Sequence, residues 1–163
     1  KIPQLKGDFS FHLVGHLQSN KSKEAVRLFD LIHSIDKAGT AQKVNVEAAK
    51  IGKTQKILVQ VNTSGEATKS GVSPDETKAL CESIVQCGNL ALCGLMTIGP
   101  LTDDEHAVRK SFRMLRELRD SINQSLGIAM KELSMGMSSD FTIAVEEGAT
   151  MLRIGTKIFG TRV

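Results

Sequence analysis

The chain has no tryptophan and no tyrosine, and six phenylalanines are its whole complement of Phe, Tyr and Trp in 163 residues. Few ring faces are therefore available for stacking on unpaired bases or for anchoring a protein interface. An excess of one charge is lacking as well. The 21 Lys and Arg against 18 Asp and Glu leave a formal +3, spread along the chain with no basic run interleaved with aromatics, so a nucleic-acid partner is not expected. The three cysteines, Cys81, Cys87 and Cys93, form no CxxC pair and have no histidine at ligand spacing. That argues against a disulfide framework or a metal site and for free thiols. No apolar stretch is long enough to cross a bilayer and no signal-like run opens the sequence; a membrane role is not expected, and a reducing, cytoplasmic location is.

What is present has the composition of a globular domain, with 40% hydrophobic and 24% charged residues, and the length suits a single domain over residues 1–163. Six short apolar runs recur: Phe11–Gly15, Leu31–Ile35, Ile57–Val61, Leu92–Ile98, Glu132–Met135 and Met151–Ile154. Each is continuous rather than alternating, as expected of parallel strands covered on both faces. Between them lie helical stretches. Ser73-Pro74-Asp75-Glu76 supplies a cap, a proline at the first helical position and a capping-box glutamate, with Gly88 as a stop. Thr102-Asp103-Asp104-Glu105 opens a second helix whose Val108, Phe112, Leu115, Leu118 and Ile122 recur at helical spacing up to Gly127; its many charges read as a solvated face. Lys21–Phe29, Ala38–Ile51 and Asp140–Glu147 complete the set. Regular β-then-α alternation predicts a parallel sheet with right-handed crossovers, either open and doubly wound or barrel-shaped.

The final thirty residues carry two small-residue turns. Ser138 or Ser139 is expected to cap the helix that follows, and Gly155 with Thr156 to offer a second set of backbone donors, so that together they form a phosphate cradle. In a parallel barrel the loops after the last two strands are a frequent phosphate site. Six strands are few for an eight-fold barrel, and Lys1–Asp8 read like the loop end of a preceding helix; the expectation is a barrel lacking its first two units. His12 and His33 lie in apolar runs and read as packed or strand-end histidines rather than metal ligands. His16 falls just past a strand end, where a barrel places its active-site loop, and Asn62, Ser64 and Lys69 are expected in a mobile loop over the mouth.

Several segments jointly resemble one family. Phe11-His12-Leu13-Val14-Gly15-His16-Leu17-Gln18-Ser19-Asn20-Lys21 is similar to its aromatic-His-x-x-Gly-x-x-Gln-x-x-Lys signature. Ile32–Asp36, Gln60–Gly71, Gly94–Pro100, Ser134–Asp140 and Arg153–Gly160 follow in family order. The family is that of the pyridoxal phosphate (PLP) homeostasis proteins, whose parallel (β/α)8 TIM-type barrel is similar to the N-terminal domain of alanine racemase. The resemblance implies PLP as cofactor, its phosphate held by Ser138, Gly155 and Thr156 and its pyridine nitrogen near Arg153; Ser134, Met137, Met96, His16 and Ser64, at or near strand ends and in the loop over the mouth, are expected as further contacts. It also implies a monomeric carrier or reservoir in vitamin B6 homeostasis that serves PLP-dependent apoenzymes.

The lysine that family members use to hold PLP covalently sits on the first barrel strand, outside these 163 residues. Neither Lys21, after the third barrel strand, nor Lys69, in a loop, nor Lys157, expected in the last strand, fits that place. An arginine beside the ring nitrogen cannot usefully give it a proton, which favours carriage over strong carbanion chemistry. With no tyrosine to serve as the racemase's second base, catalysis is not the expectation. The alternatives are a PLP enzyme acting on amino acids, or a barrel for another phosphorylated metabolite.

Overall fold

The computed structural model describes residues 7–66 and 68–160; the expectation for the opening residues therefore falls partly outside the described ones. Six strands and six α-helices alternate: β1 (His12–Leu13), α1 (Ser22–Leu28), β2 (Leu31–Ile35), α2 (Ala38–Lys50), β3 (Gln55–Gln60), α3 (Pro74–Val85), β4 (Leu90–Met96), α4 (Glu105–Leu126), β5 (Glu132–Met137), α5 (Phe141–Glu146), β6 (Met151–Arg153) and α6 (Thr156–Phe159). The strands are all parallel and stand in the order β1-β2-β3-β4-β5-β6. A doubly wound sheet reverses its strand order part-way; this one never does. The sheet is an arc of a barrel, with β1 and β6 as its edges among the described residues.

The continuous apolar character of the strands follows from burial on two faces. All five residues of β2 are buried. Side chains alternate across a strand, and the two faces separate into two clusters. Ile32, Ile57, Val59, Leu95, Leu133 and Met135 join the helices in the main core. Leu31, Leu58 and Met96 pack on the concave side with Cys93 and Met151. His33, Ser134 and Arg153 lie two residues further along β2, β5 and β6 than Leu31, Glu132 and Met151.

The helix starts follow local chemistry. At α3, Ser73 Oγ accepts from the Glu76 N–H at 3.3 Å and donates to the Glu76 carboxylate at 2.6 Å, with Pro74 in the first turn. At α4, Asp104 Oδ1 accepts from His106 N at 2.9 Å, and Gly127 ends the helix at φ +63°. The charged face of α4 is more than solvated surface. Arg109, Arg113 and Arg116 converge on Glu147 at 3.1–3.2 Å, and Glu147 is 3% exposed. Burial works to raise that carboxyl, but the arginines outweigh it and hold it below the usual range. This tie fixes the end of α5 just before β6.

Three expectations are corrected. Neither Ser138 nor Ser139 caps α5: Asp140 occupies the cap position, and its carboxylate turns back to accept from Met137 N at 2.6 Å. The last strand ends at Arg153, so Lys157 belongs to α6, where its Nζ lies 4.4 Å from the Phe141 ring centroid. The first strand is only two residues long, and among the described residues it pairs with β2 alone.

Two glycines allow close approach where the site is built. A Cβ on Gly94 would fall 1.9 Å from the Glu132 carbonyl oxygen, and one on Gly136, at φ +91°, would fall 2.5 Å from Ala144 Cβ. Gly94→Ala must therefore push β4 from β5, a change that typically destabilises by more than about 2 kcal/mol. Urea unfolding followed by circular dichroism should show a loss of that size, whereas Gly88→Ala, with open space around it, should cost about 0.5 kcal/mol or less.

Candidate functional site

The concave face carries a hydrogen-bonded polar chain from one edge of the arc to the other. Arg153, on β6, donates from Nη1 to Ser134 Oγ and from Nη2 to the Thr97 carbonyl, both at 2.7 Å. Ser134 Oγ lies 2.9 Å from His33 Nδ1, and His33 Nε2 lies 3.1 Å from His12 Nδ1. Thr97 is held in turn: its N–H donates to the Ser134 carbonyl at 3.1 Å and its hydroxyl to the Val61 carbonyl at 2.8 Å. Because that hydroxyl proton is spent on Val61, Thr63 must be the donor in its 2.8 Å contact with Thr97, and Ser111 the donor in its 2.7 Å contact with Thr63. The arrangement satisfies each buried hydroxyl once, with no second choice.

Burial shapes the electrostatics. His33 is 2% exposed; desolvation first, then the fields of His12 and Arg153, lower its pKa to about 4. It is a neutral ring at pH 7. Burial also lowers the pKa of Arg153, with Asp140 acting in the opposite direction. Among the described residues no carboxylate lies within ion-pair distance of Arg153: its two hydrogen-bond acceptors are neutral. A desolvated cation without a counter-ion is costly, and a group with negative character beside it relieves that cost. Arg153 lines a cavity of about 600 Å³ together with His12, Val14, His33, Met151 and Gly155, a volume in the range of small-molecule sites, roughly 300–1,000 Å³.

The two C-terminal turns meet at this cavity's rim. Ser138 Oγ accepts from Gly155 N at 3.2 Å and from Lys157 N at 3.4 Å. The serine thus ties the β5 turn to the β6 turn instead of capping its own helix. Around Gly155 the space is open, with nothing within 4 Å of where a Cβ would stand, and Thr156 beside it is exposed.

Of the nine residues singled out in the sequence, Ser134, Arg153, Ser138, Gly155 and Thr156 come together here. Met96 is fully buried in the concave cluster below. Met137 faces a larger cavity of about 640 Å³ with Ser139, Asp140 and residues 98–103; its lysine, Lys69, is already paired with Glu66 at 2.6 Å, so it offers less to an anion than Arg153 does. Two others stand apart. His16 is exposed, with Nδ1 3.9 Å from Asp36, and Ser64 donates to Asn62 at 2.9 Å beside a separate cavity of about 350 Å³. The loop around Ser64 is tied through its described residues, with Asn62 Nδ2 donating to the Glu66 carbonyl at 2.8 Å and Lys69 Nζ to the Gly99 carbonyl at 2.9 Å. Sequence reasoning missed His33 and Thr97. The parity of β2 was the available signal, since Leu31 and His33 must share a face.

Three comparisons bear on this geometry. Residues 6–163 match the family model described as alanine racemase, N-terminal domain. The chain is 44% identical over 155 residues to the pyridoxal phosphate homeostasis protein of Aquifex aeolicus, covering 95% of this chain and 68% of that one. It is 42% identical over 171 residues to the protein of that name in Homo sapiens, covering 99% and 62%. The chain thus spans about two thirds of the length of these relatives. Among solved structures, PipY of Synechococcus elongatus with PLP bound superposes with a TM-score of 0.86 at 35% identity, covering 94% of this chain and 72% of that one. Alanine racemase of Clostridium difficile, at 16% identity and a TM-score of 0.80 over 95% of this chain and 40% of that one, shares the fold. The chain belongs to the alanine racemase N-terminal domain family, in the group of pyridoxal phosphate homeostasis proteins.

Proposed function

We propose that this chain acts as a PLP carrier or reservoir in vitamin B6 homeostasis. The observation that supports this most directly is Arg153: a half-buried guanidinium with neutral acceptors on two sides and an open cavity beside it. The residues present fit the cofactor. Ser138, Gly155 and Thr156 would hold the phosphate, whose oxygens can take the Ser138 hydroxyl proton and the Thr156 N–H and would replace Ser138 Oγ as acceptor of the Gly155 N–H. Arg153 would face the pyridine nitrogen, with Ser134 behind it. When bound, PLP supplies an aldehyde that condenses with amines and an electron-withdrawing ring.

The side chains around that ring favour holding over turnover. A guanidinium donates a hydrogen bond to the ring nitrogen but keeps its own proton, and the neutral His33 is occupied by two hydrogen bonds. The 163 residues contain no tyrosine to act as a base. Delivery to PLP-dependent apoenzymes, action as a monomer and a cytoplasmic setting complete this reading. Among the described residues no helix is long and apolar enough to cross a membrane. Met96, Met137, His16 and Ser64 are assigned a supporting part at most, the first beneath the ring and the others at the mouth.

The test is equilibrium binding of PLP to the full chain, followed by absorbance. Arg153→Ala and Ser138→Ala should each weaken binding about tenfold, the loss of one charge-assisted hydrogen bond; unchanged affinity in both would overturn the site. Pyridoxal, which lacks the phosphate, should bind at least about 100-fold more weakly than PLP, since a dianion's several hydrogen bonds are lost together. With amino acids added, α-proton exchange monitored by NMR should stay at the rate of free PLP. Enzyme-like exchange would replace the carrier reading with a catalytic one.

A further inference from the structure

The chain His12–His33–Ser134–Arg153 has a direction that its donors and acceptors impose. The guanidinium only donates, so in its 2.7 Å contact Ser134 Oγ is the acceptor. The serine's single hydroxyl proton then needs another acceptor. Ser134 is fully buried, and the remaining atom in contact with its oxygen is His33 Nδ1, at 2.9 Å. If that nitrogen accepts, the ring's proton sits on Nε2 and is donated to His12 Nδ1 at 3.1 Å. His12, on the edge strand, is exposed to solvent. A cationic His33 would aim an N–H at Ser134 and turn the serine's proton toward the guanidinium. The groups facing His33 are His12, Ser134 and, through the serine, Arg153; Asp140 is the acidic group whose field reaches Arg153.

We propose that His33 is a positioning residue for Arg153: by accepting the hydroxyl proton of Ser134 it keeps a serine lone pair on the guanidinium and holds the unused arginine N–H groups at the cavity. This rests on the reading that Arg153 faces the cofactor ring. The Thr97 carbonyl anchors the other arm of the guanidinium, so the arginine is gripped from both sides and its orientation does not depend on ligand. His33 never touches the ligand in this role; it acts through Ser134.

Two measurements test it. The first uses the cofactor-free chain labelled with 15N: long-range 15N–1H correlation spectra at pH 7 should show His33 neutral with its proton on Nε2. A ring protonated on Nδ1, or on both nitrogens, would overturn the proposal whatever the chain binds. The second is a double-mutant cycle read as PLP affinity. His33→Leu should weaken binding about tenfold, while His33→Asn, whose amide oxygen can replace Nδ1 as acceptor, should stay within about threefold of the parent. In an Arg153→Ala background His33→Leu should cause no further loss; an equal loss there, or none in the parent, would show a role unconnected with Arg153 and sink the idea. Should the parent chain fail to bind PLP at all, the carrier reading falls, and the tautomer of His33 still decides the relay. Should His33→Leu fail to fold, the tautomer and His33→Asn decide.

Discussion

The site depends on holding one half-buried guanidinium among neutral partners. Arg153 could have been paired with a carboxylate, as the arginines of α4 are with Glu147. A carboxylate would stabilise it and at the same time satisfy it. Ser134 and the Thr97 carbonyl accept its hydrogen bonds without cancelling its charge, and that leaves a positive potential directed into the cavity. The parts around it serve this condition: Thr97 is itself pinned by Val61 and the Ser134 backbone, and Ser134 by its place opposite Met96 in the sheet.

The contrast between the two arginine clusters shows how one fold uses the same residue in opposite ways. On the outside, three arginines share one buried carboxylate and join α4 to the end of α5. On the inside, a single arginine lacks one. The outer cluster fixes where β6 begins, and β6 carries Arg153 three residues after its first hydrogen-bonded neighbour, Thr150, whose N–H donates to the Leu133 carbonyl.

Much of this was legible in the residues. Continuous apolar runs with capped helices between them point to parallel strands, and the structure has six in the places expected, because burial on both faces leaves little freedom in such a pattern. The doubly wound and barrel alternatives were indistinguishable by pattern; strand order separates them, and order depends on contacts far apart in sequence. The Ser138 region was located correctly as a turn, but its cap was not. Three small polar residues in a row, Ser138, Ser139 and Asp140, compete for one helix start, and which one wins is set by what else each can bond. Ser138 finds the Gly155 N–H, and Asp140 finds the Met137 N–H. His33 was hidden for a related reason: a histidine in an apolar run reads as packing until its inward neighbours from β5 and β6 are known.

The missing side chain at Gly94 acts as a depth stop. Glycine lets β5 lie so near that the Glu132 carbonyl occupies the volume a methyl would fill, and the register Gly94–Glu132 sets Met96 against Ser134 two residues beyond. The height of the serine hydroxyl above the apolar floor is therefore fixed by backbone against backbone, which is stiffer than any rotamer. Of the groups that grip the guanidinium, the Ser134 hydroxyl and the Thr97 carbonyl thus stand at the β4–β5 seam, while Arg153 itself reaches them from the edge strand β6.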